Sequence, residues 1–391
     1  MIAFEEALAI VQGEGSALDA ERVSLSDCLF RVLRQDVVSD MDMPPFDKSA
    51  MDGYACRRED IGHILEIIET IPAGSRPGRA IGKNQCAKIM TGAMMPAGAD
   101  CVLAVEDVEP VSAAAIRFKG AQTAANICRK GEDVVAGQVL VPAGTRITPK
   151  EIAALALAGC TQPLVSRRPK IGIIATGDEI VEPHTIPKPA QIRNSNASQL
   201  VAQCLGSGAD PTYYGIARDT REEIGRLVDA ARAANDLVLL TGGVSMGDFD
   251  LVPGILKELG FRIFFDKVAI QPGKPTVFGR CGTVWVFGLP GNPVSSFIIF
   301  EVLVRELLAK LLGLRGRRPA IKCPLAAGYR RKAAVRRAWI PVRITAQGRA
   351  EPVSYHGSAH ITALAPADGI ITVPVGVGEI PEGTLVDVRL I

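Results

Sequence analysis

The chain has no Cys-x-x-Cys pair, and its nine cysteines form an odd, scattered set. That fits reduced thiols better than a disulfide framework. It has no excess of either charge: 44 Lys and Arg stand against 42 Asp and Glu, a net +2 at neutral pH. A general nucleic-acid bias is therefore excluded. No uninterrupted apolar run reaches about 18 residues, so no membrane span is expected. No Gly-Lys-Ser/Thr triplet follows any of its glycine turns, so there is no P-loop. The opening Met-Ile-Ala-Phe-Glu-Glu lacks the basic flank and apolar core of an export signal. A cytoplasmic location is the expectation.

What is present is ordinary in amount. An apolar fraction of 48% and a charged fraction of 22% describe a globular chain with a sizeable core. Its 391 residues suggest about two to four domains.

The chain is organised around residues 237–250, Leu-Val-Leu-Leu-Thr-Gly-Gly-Val-Ser-Met-Gly-Asp-Phe-Asp. The apolar run 237–240 suits a strand covered on both faces, as in a parallel sheet. It stops at Thr241-Gly242-Gly243, where the backbone can turn through positive φ and approach a ligand. Amides in such a turn can cup an anion. Asp248 and Asp250 follow, and paired carboxylates beside a phosphate-sized pocket suit a divalent cation. A plain glycine-rich turn with solvated aspartates accounts for the same residues.

From the start, Phe4, Leu8 and Val11 fall at helical spacing. Short strands are expected at 23–25 and 37–38. Pro44-Pro45 forbids a regular helix, and the loop after it gathers Asp47, Lys48, Ser49 and Asp52. Such a loop can build a site or serve as a charged domain crossover. Strands at 64–71, 86–90, 101–108 and 116–119, separated by Gly/Pro turns, argue for a small β-rich domain. Thr91 ends one of these strands and reads as a turn residue. Cys128-Arg129-Lys130-Gly131-Glu132-Asp133 reads as a solvated mixed-charge turn. Thr148-Pro149-Lys150-Glu151 is a capping box with proline at the first helical position. Its helix should end at Gly159.

Residues 169–312 alternate strands with helices. Strands are expected at 171–175, 237–240 and 284–287. Helices are expected at 198–205, after the capping box at Thr220, at 255–259, and from Asn292-Pro293 onward with Phe297, Phe300, Val304, Leu307 and Leu311 on one face. This is the pattern of a doubly wound parallel sheet, which binds ligands beyond the carboxyl ends of its strands. Three loops fall there: Thr176-Gly177-Asp178-Glu179, 241–250, and Gly288-Leu289-Pro290-Gly291-Asn292-Pro293. Three such turns at one edge, two carrying carboxylates, favour a site. A basic linker follows at 314–318, then short strands at 339–344, 370–373 and 385–390 that suggest a small β-barrel or sandwich. His356 and His360 are separated by Gly357, which argues against a helical metal pair.

Read together, these motifs resemble those of the molybdopterin molybdenumtransferases, a family that includes the C-terminal domain of gephyrin. The resemblance covers nearly the whole chain. It rests on Phe46-Asp47-Lys48-Ser49-Ala50-Met51-Asp52-Gly53-Tyr54-Ala55, Met90-Thr91-Gly92-Ala93 and Gly131-Glu132-Asp133. It continues through Thr176-Gly177-Asp178-Glu179, Asn194-Ser195-Asn196, Thr241-Gly242-Gly243-Val244-Ser245-Met246-Gly247, Pro272-Gly273-Lys274-Pro275 and the 288–293 loop.

The resemblance implies a multidomain α/β plus β fold. An elongated discontinuous domain would take 1–44 and 137–168, and an inserted β-rich domain 45–136. The α/β/α molybdopterin-binding domain would take 169–315, and a C-terminal β-barrel 318–391. It implies a homodimer with the site between subunits, and contact with the molybdopterin adenylyltransferase. The implied reaction inserts molybdenum from molybdate into adenylylated molybdopterin and releases AMP, assisted by Mg2+. Glu179, Asp219 and Asp250 would hold the metal. Thr176, Gly177, Thr241, Gly242, Gly243, Ser245, Pro290, Gly291 and Asn292 would shape the pterin site, with Lys267 and Lys274 countering anionic charge. Asp52, Thr91 and Asp133 match family positions that act near molybdate and adenylate; interdomain hydrogen bonding explains them equally well. Two departures remove positive charge, Cys128 and Gln271, where many relatives carry basic residues. Arg129, Lys130 and Lys267 are candidates to compensate. The alternatives are adenylylation of molybdopterin, disfavoured by the domains before 169 and after 318, and a non-catalytic scaffold on the same fold.

Overall fold

The computed structural model describes residues 1–244, 251–316, 320–354 and 357–391. Its central element is a six-stranded sheet of β1 (Lys170–Thr176), β2 (Asp210–Ala217), β3 (Leu237–Thr241), β4 (Arg262–Lys267), β5 (Pro275–Cys281) and β6 (Val284–Leu289), in the order β2-β1-β3-β6-β5-β4. The apolar run of β3 is covered on both faces. Leu237 and Leu239 pack into one core with Ile171, Ile173 and Phe287. Val238 and Leu240 pack into the other with Ile174 and Val286. That alternation is the period of an extended chain, and burial of both faces explains the absence of polar residues.

The sheet is not wholly parallel, which corrects the sequence expectation. β2, β1, β3 and β6 run parallel, whereas β5 is antiparallel to both β6 and β4. Cys281 pairs with Val284, leaving Gly282 and Thr283 as the turn, and so tight a connection can only join antiparallel strands. The strands β2 and β5 form no long apolar run in sequence, and in β4 the run is only Ile263-Phe264-Phe265 between charged residues. β2 and β4 are edge strands with largely half-exposed residues, and β5 opens with a proline.

The helices follow their capping signals. Thr220 accepts from the Glu223 amide, and the helix Arg221–Ala234 buries Ile224, Leu227, Val228 and Ala231. The helix Ser195–Gly206 begins earlier than the expected 198, because Asn194 Oδ1 accepts from the Ala197 amide at 3.1 Å. The capping box at Thr148 forms, opening the helix Pro149–Leu157. The helix from Pro293 runs Pro293–Ile299, passes through a π-helical turn Phe300–Val304, and continues as Arg305–Leu311.

Around this centre, Ala20–Arg22 pairs with Leu164–Ser166 and Val37–Val38 with Val139–Val141. Cys28, Leu33 and Val37 share a core with Val141, Leu155 and Val165. The strand expected at 23–25 lies instead at Ala20–Arg22. Val23 and Leu25 pack on that core while the chain turns, Asp27 N donating to Ser24 O at 3.1 Å. The first helix, Phe4–Glu14, buries Phe4, Ala7 and Val11 in the central core beside Leu307 and Leu311.

A second six-stranded sheet lies within residues 53–118. The single strand expected at 101–108 is two, Cys101–Ala104 and Val108–Ser112, which occupy opposite edges of that sheet. The chain breaks at Val105–Asp107 to cross between them. The third sheet holds Arg337–Ile344, Gly369–Val373 and Leu385–Leu390, and takes Ile270–Gln271 from the central unit as a parallel neighbour of Arg337–Ala338. All nine cysteines are free thiols.

At the amino end of the central sheet, Arg167 grips Asp236 through two hydrogen bonds of 2.7 Å, and the Lys170 amide adds a third at 2.8 Å. Burial opposes ionisation of Asp236, but Arg167 and that amide outweigh it and hold the carboxyl below its usual range. A depressed folded-state value stabilises the protein above the unfolded value of about 3.9 and loses that contribution as pH falls through the folded value. Asp236→Asn should lower stability at pH 7 by about 1–2 kcal/mol, and denaturant melts of the variant should lose less stability below about pH 4 than wild type. Parallel curves across that window would remove the pair from the acid response.

Candidate functional site

A cleft of about 700 Å³ opens at the carboxyl ends of β1, β3 and β6. β2 lies on one side of β1 and β3 on the other, so the loops leaving β1 and β3 diverge there. This is the topological switch point at which open α/β sheets bind ligands. The three glycine-bordered loops do converge. Thr176 and Gly177, Thr241 to Val244, and Pro290 to Pro293 line one cleft, joined by Asn194, Ser195 and Asn196. Ser245, Asp248 and Asp250 lie outside the described residues.

The loops are held by specific contacts. Gly242 has φ +101°, and a Cβ built on it would sit 2.5 Å from Thr176 O and 2.7 Å from Thr176 Oγ1. Its amide donates to Leu289 O at 3.1 Å. Asn196 Nδ2 donates to Thr241 Oγ1 at 2.7 Å and to Gly291 O at 2.8 Å. Thr241 Oγ1 donates to Pro290 O at 3.3 Å. One buried amide thus ties the end of β3 to the loop after β6. Thr176 Oγ1 and Asn196 Oδ1 are buried and have no hydrogen-bond partner among the described residues. Bare buried polar atoms in a cleft wall suit a ligand or water that completes them.

The electrostatics are mixed. The helices that begin at Ser195 and Pro293 both start on the cleft wall. Helix N-termini carry partial positive charge, which favours anionic groups, although Pro293 has no N–H and the Val294 amide is taken by Ser358 O. Glu179 and Asp219 bring two carboxylates to the same wall, and among the described lining residues Arg193 is the one basic side chain. Glu179 folds back over Gly177, where an added Cβ would lie 2.5 Å from Glu179 Oε2. Asp219 N donates to Asp178 Oδ1 at 3.3 Å. An anion here would meet excess carboxylate unless a cation came with it. Two carboxylates are hard oxygen donors that suit Mg2+ completed by water and phosphate oxygens. Among the described residues no group of three or more His, Cys, Asp or Glu forms a metal cluster.

The remaining expected site residues lie elsewhere in the chain. Thr91 N and Oγ1 donate to Asp52 Oδ1 at 2.7 and 2.8 Å. Those two bonds, the amide first, hold the Asp52 carboxyl below its usual range. Asp133 N donates to Met43 O at 3.0 Å. None of Asp52, Thr91 and Asp133 lines the cleft within one chain. Lys267 ends β4 and pairs in register with Pro275, which is a lining residue. Lys274 is exposed next to it, with its carbonyl accepting from Val268 N at 3.0 Å.

Arg129 and Lys130 are already matched: Arg129 pairs with Asp47 at 2.7 Å and Lys130 with Asp42 at 3.3 Å. Beside Gln271, however, Arg336 Nη1 donates to Ile270 O at 3.3 Å, bringing a guanidinium that no sequence motif had marked. Ala359 and Ile361 also line the cleft, and Ser358 O accepts from Val294 N at 3.0 Å. Nothing in their local sequence marks them, because their role comes from a contact between distant segments. Asn196 did have a signal, an Asn-Ser-Asn run ahead of an apolar helix, but its tie across the cleft is visible only in three dimensions.

Comparison with known proteins covers the chain from end to end. Residues 2–159 match the MoeA N-terminal region (domain I and II), 172–310 a probable molybdopterin binding domain, and 324–391 the MoeA C-terminal region (domain IV). The molybdopterin molybdenumtransferase of Bacillus subtilis (strain 168) is 35% identical over 387 residues, covering 95% of this chain and 90% of that protein. That of Staphylococcus epidermidis is 34% identical over 408 residues, covering 100% and 95%. A crystal structure of a molybdopterin biosynthesis MoeA protein from Pyrococcus horikoshii superposes with a TM-score of 0.87 at 28% identity, over the full length of both chains. Another, 35% identical, gives 0.83 over 100% of this chain and 99% of that one.

Proposed function

This chain belongs to the molybdopterin molybdenumtransferase family, and from that we propose that it takes adenylylated molybdopterin and molybdate, transfers molybdenum to the pterin dithiolene and releases AMP. The observation that carries the reading is the convergence of three glycine-bordered loops around one cleft, with two helix N-termini and two carboxylates on its wall.

The substrate carries a phosphoanhydride, so the site needs donors and a counter-cation. Gly243 and the first turn behind Asn194 would offer amides to its phosphates. Thr176, Gly177, Thr241, Pro290 and Gly291 would shape the wall, with Ser245 in the same loop. Mg2+ would be held by Glu179 and Asp219 together with Asp250; bound there, it would offset phosphate charge as the anhydride opens. Lys267 and Lys274, with Arg336 beside Gln271, would neutralise molybdate. Because Asp52, Thr91 and Asp133 stand off the cleft of their own chain, we place them in the site of a partner subunit, in a cytoplasmic homodimer. The partition at 1–44 with 137–168, 45–136, 169–315 and 318–391 belongs to the same proposal. The separate sheets and cores support it, with Phe4–Glu14 packed on the central unit.

Purified protein given adenylylated molybdopterin, molybdate and Mg2+ should release AMP. ATP consumption with bare molybdopterin would indicate the adenylyltransferase instead, and stoichiometric partner binding without either activity a scaffold. Lys274→Ala should raise the molybdate concentration for half-maximal AMP release about tenfold, the loss of one charged contact, while the pterin substrate's KM holds. An unchanged molybdate response would take Lys274 out of the anion site.

A further inference from the structure

Asn196 is 8% exposed, and its amide orientation is dictated by its partners. Nδ2 donates to Gly291 O as well as to Thr241 Oγ1. A peptide carbonyl only accepts, so the NH2 end has to face Gly291; turned over, the amide would set two oxygens against each other. Thr241 Oγ1, having accepted, passes its own hydrogen to Pro290 O. Both hydrogens of the side-chain amide are thus engaged within the protein, while Oδ1 has no partner among the described residues. The residue lines the cleft. A buried oxygen of this kind can be satisfied only by a donor, and leaving it bare forfeits its hydration.

We propose that Asn196 Oδ1 reads the substrate's heterocycle by accepting a hydrogen bond from its exocyclic amino group. Phosphate oxygens are acceptors and are repelled by Oδ1. The division of labour follows: phosphates at backbone amides, an amino-substituted ring at the Asn196 side-chain oxygen. This rests on the reading that the cleft binds adenylylated molybdopterin. That substrate offers the same chemistry twice, since both pterin and adenine carry an amino group on a pyrimidine ring.

Calorimetric titration of full-length wild-type protein separates the two sources. One pair of probes is AMP and N6,N6-dimethyl-AMP; the other is 6-hydroxymethylpterin and its N2,N2-dimethyl derivative. Methylation removes the donor, and the affected pair should differ in affinity by about tenfold or more. Which pair responds assigns the ring. In Asn196→Ala the difference should vanish. Equal binding within both pairs to wild type would overturn the inference while leaving the transferase reading intact. Discrimination that persists in Asn196→Ala would also overturn it, since steric exclusion of the methyl groups would then suffice. If Asn196→Ala does not fold, the same pairs are titrated against Asn196→Ser, whose shorter side chain withdraws the acceptor, and the difference should vanish there. Failure of wild type to bind either parent probe would overturn the transferase reading and this inference with it.

Discussion

Glu179→Gln should release AMP from adenylylated molybdopterin at least about a hundredfold more slowly than wild type at a fixed, moderate Mg2+ concentration. The cause is electrostatic. The described cleft wall carries Glu179 and Asp219 against Arg193, so a polyanionic substrate enters an already negative surface. In the proposed function, a divalent cation shared between protein carboxylates and substrate oxygens offsets that repulsion. Glutamine keeps the shape of the side chain and removes its charge. Affinity for the cation should fall, and part of the rate should return as Mg2+ is raised. Glu179 is exposed, so the fold should be affected by no more than about 0.5 kcal/mol, and a thermal melt separates loss of function from loss of structure. Asp219→Asn should behave alike. Full turnover with an unaltered Mg2+ dependence would detach Glu179 from the metal.

Gly242→Ala should be nearly as damaging, for a different reason. With φ at +101°, the backbone there is one that a side chain rarely adopts. The added Cβ would also meet the Thr176 carbonyl oxygen at 2.5 Å, and a backbone atom in a buried strand end cannot swing aside. The strain, roughly 1–3 kcal/mol, would be relieved by moving the β3 loop away from β1. That movement would displace the Thr241 hydroxyl from Asn196 and break the Gly242 amide's bond to Leu289 O, deforming the cleft proposed to take the substrate. Affinity for adenylylated molybdopterin should drop on the order of a hundredfold, with a lower thermal midpoint. A variant that binds and melts like wild type would show that this loop approach is not needed.

Much of the central unit was legible because its signals are local. Thr220 with Glu223, Thr148 with Glu151, and the apolar runs at β1, β3 and β6 each encode their element within a few residues. The glycine turns at the ends of β1, β3 and β6 also announced a shared edge once those strands were taken as neighbours. What escaped depends on partners far away in sequence. β2 and β4 lie at the sheet's edges with largely half-exposed residues, and β5 is reversed by a turn whose effect appears only through pairing with β6. The strand at Ala20–Arg22 exists because Leu164–Ser166 lies beside it. In the site, Asn196 was a motif letter until its amide met Thr241 and Gly291. Ala359 and Ile361 reach the cleft from the last domain. Thr91 and Asp133 entered through family resemblance alone, Asp52 also through its polar loop, and within one chain none of the three lines the cleft.

The coupling of AMP release to metal transfer tests the account most directly. Purified protein would be incubated with adenylylated molybdopterin, molybdate and Mg2+, and both AMP and pterin-bound molybdenum measured over time. The account predicts that the two products appear together in equal amounts, and that both fall in Glu179→Gln. AMP release at the background rate, or AMP formed with no molybdenum on the pterin, would contradict it.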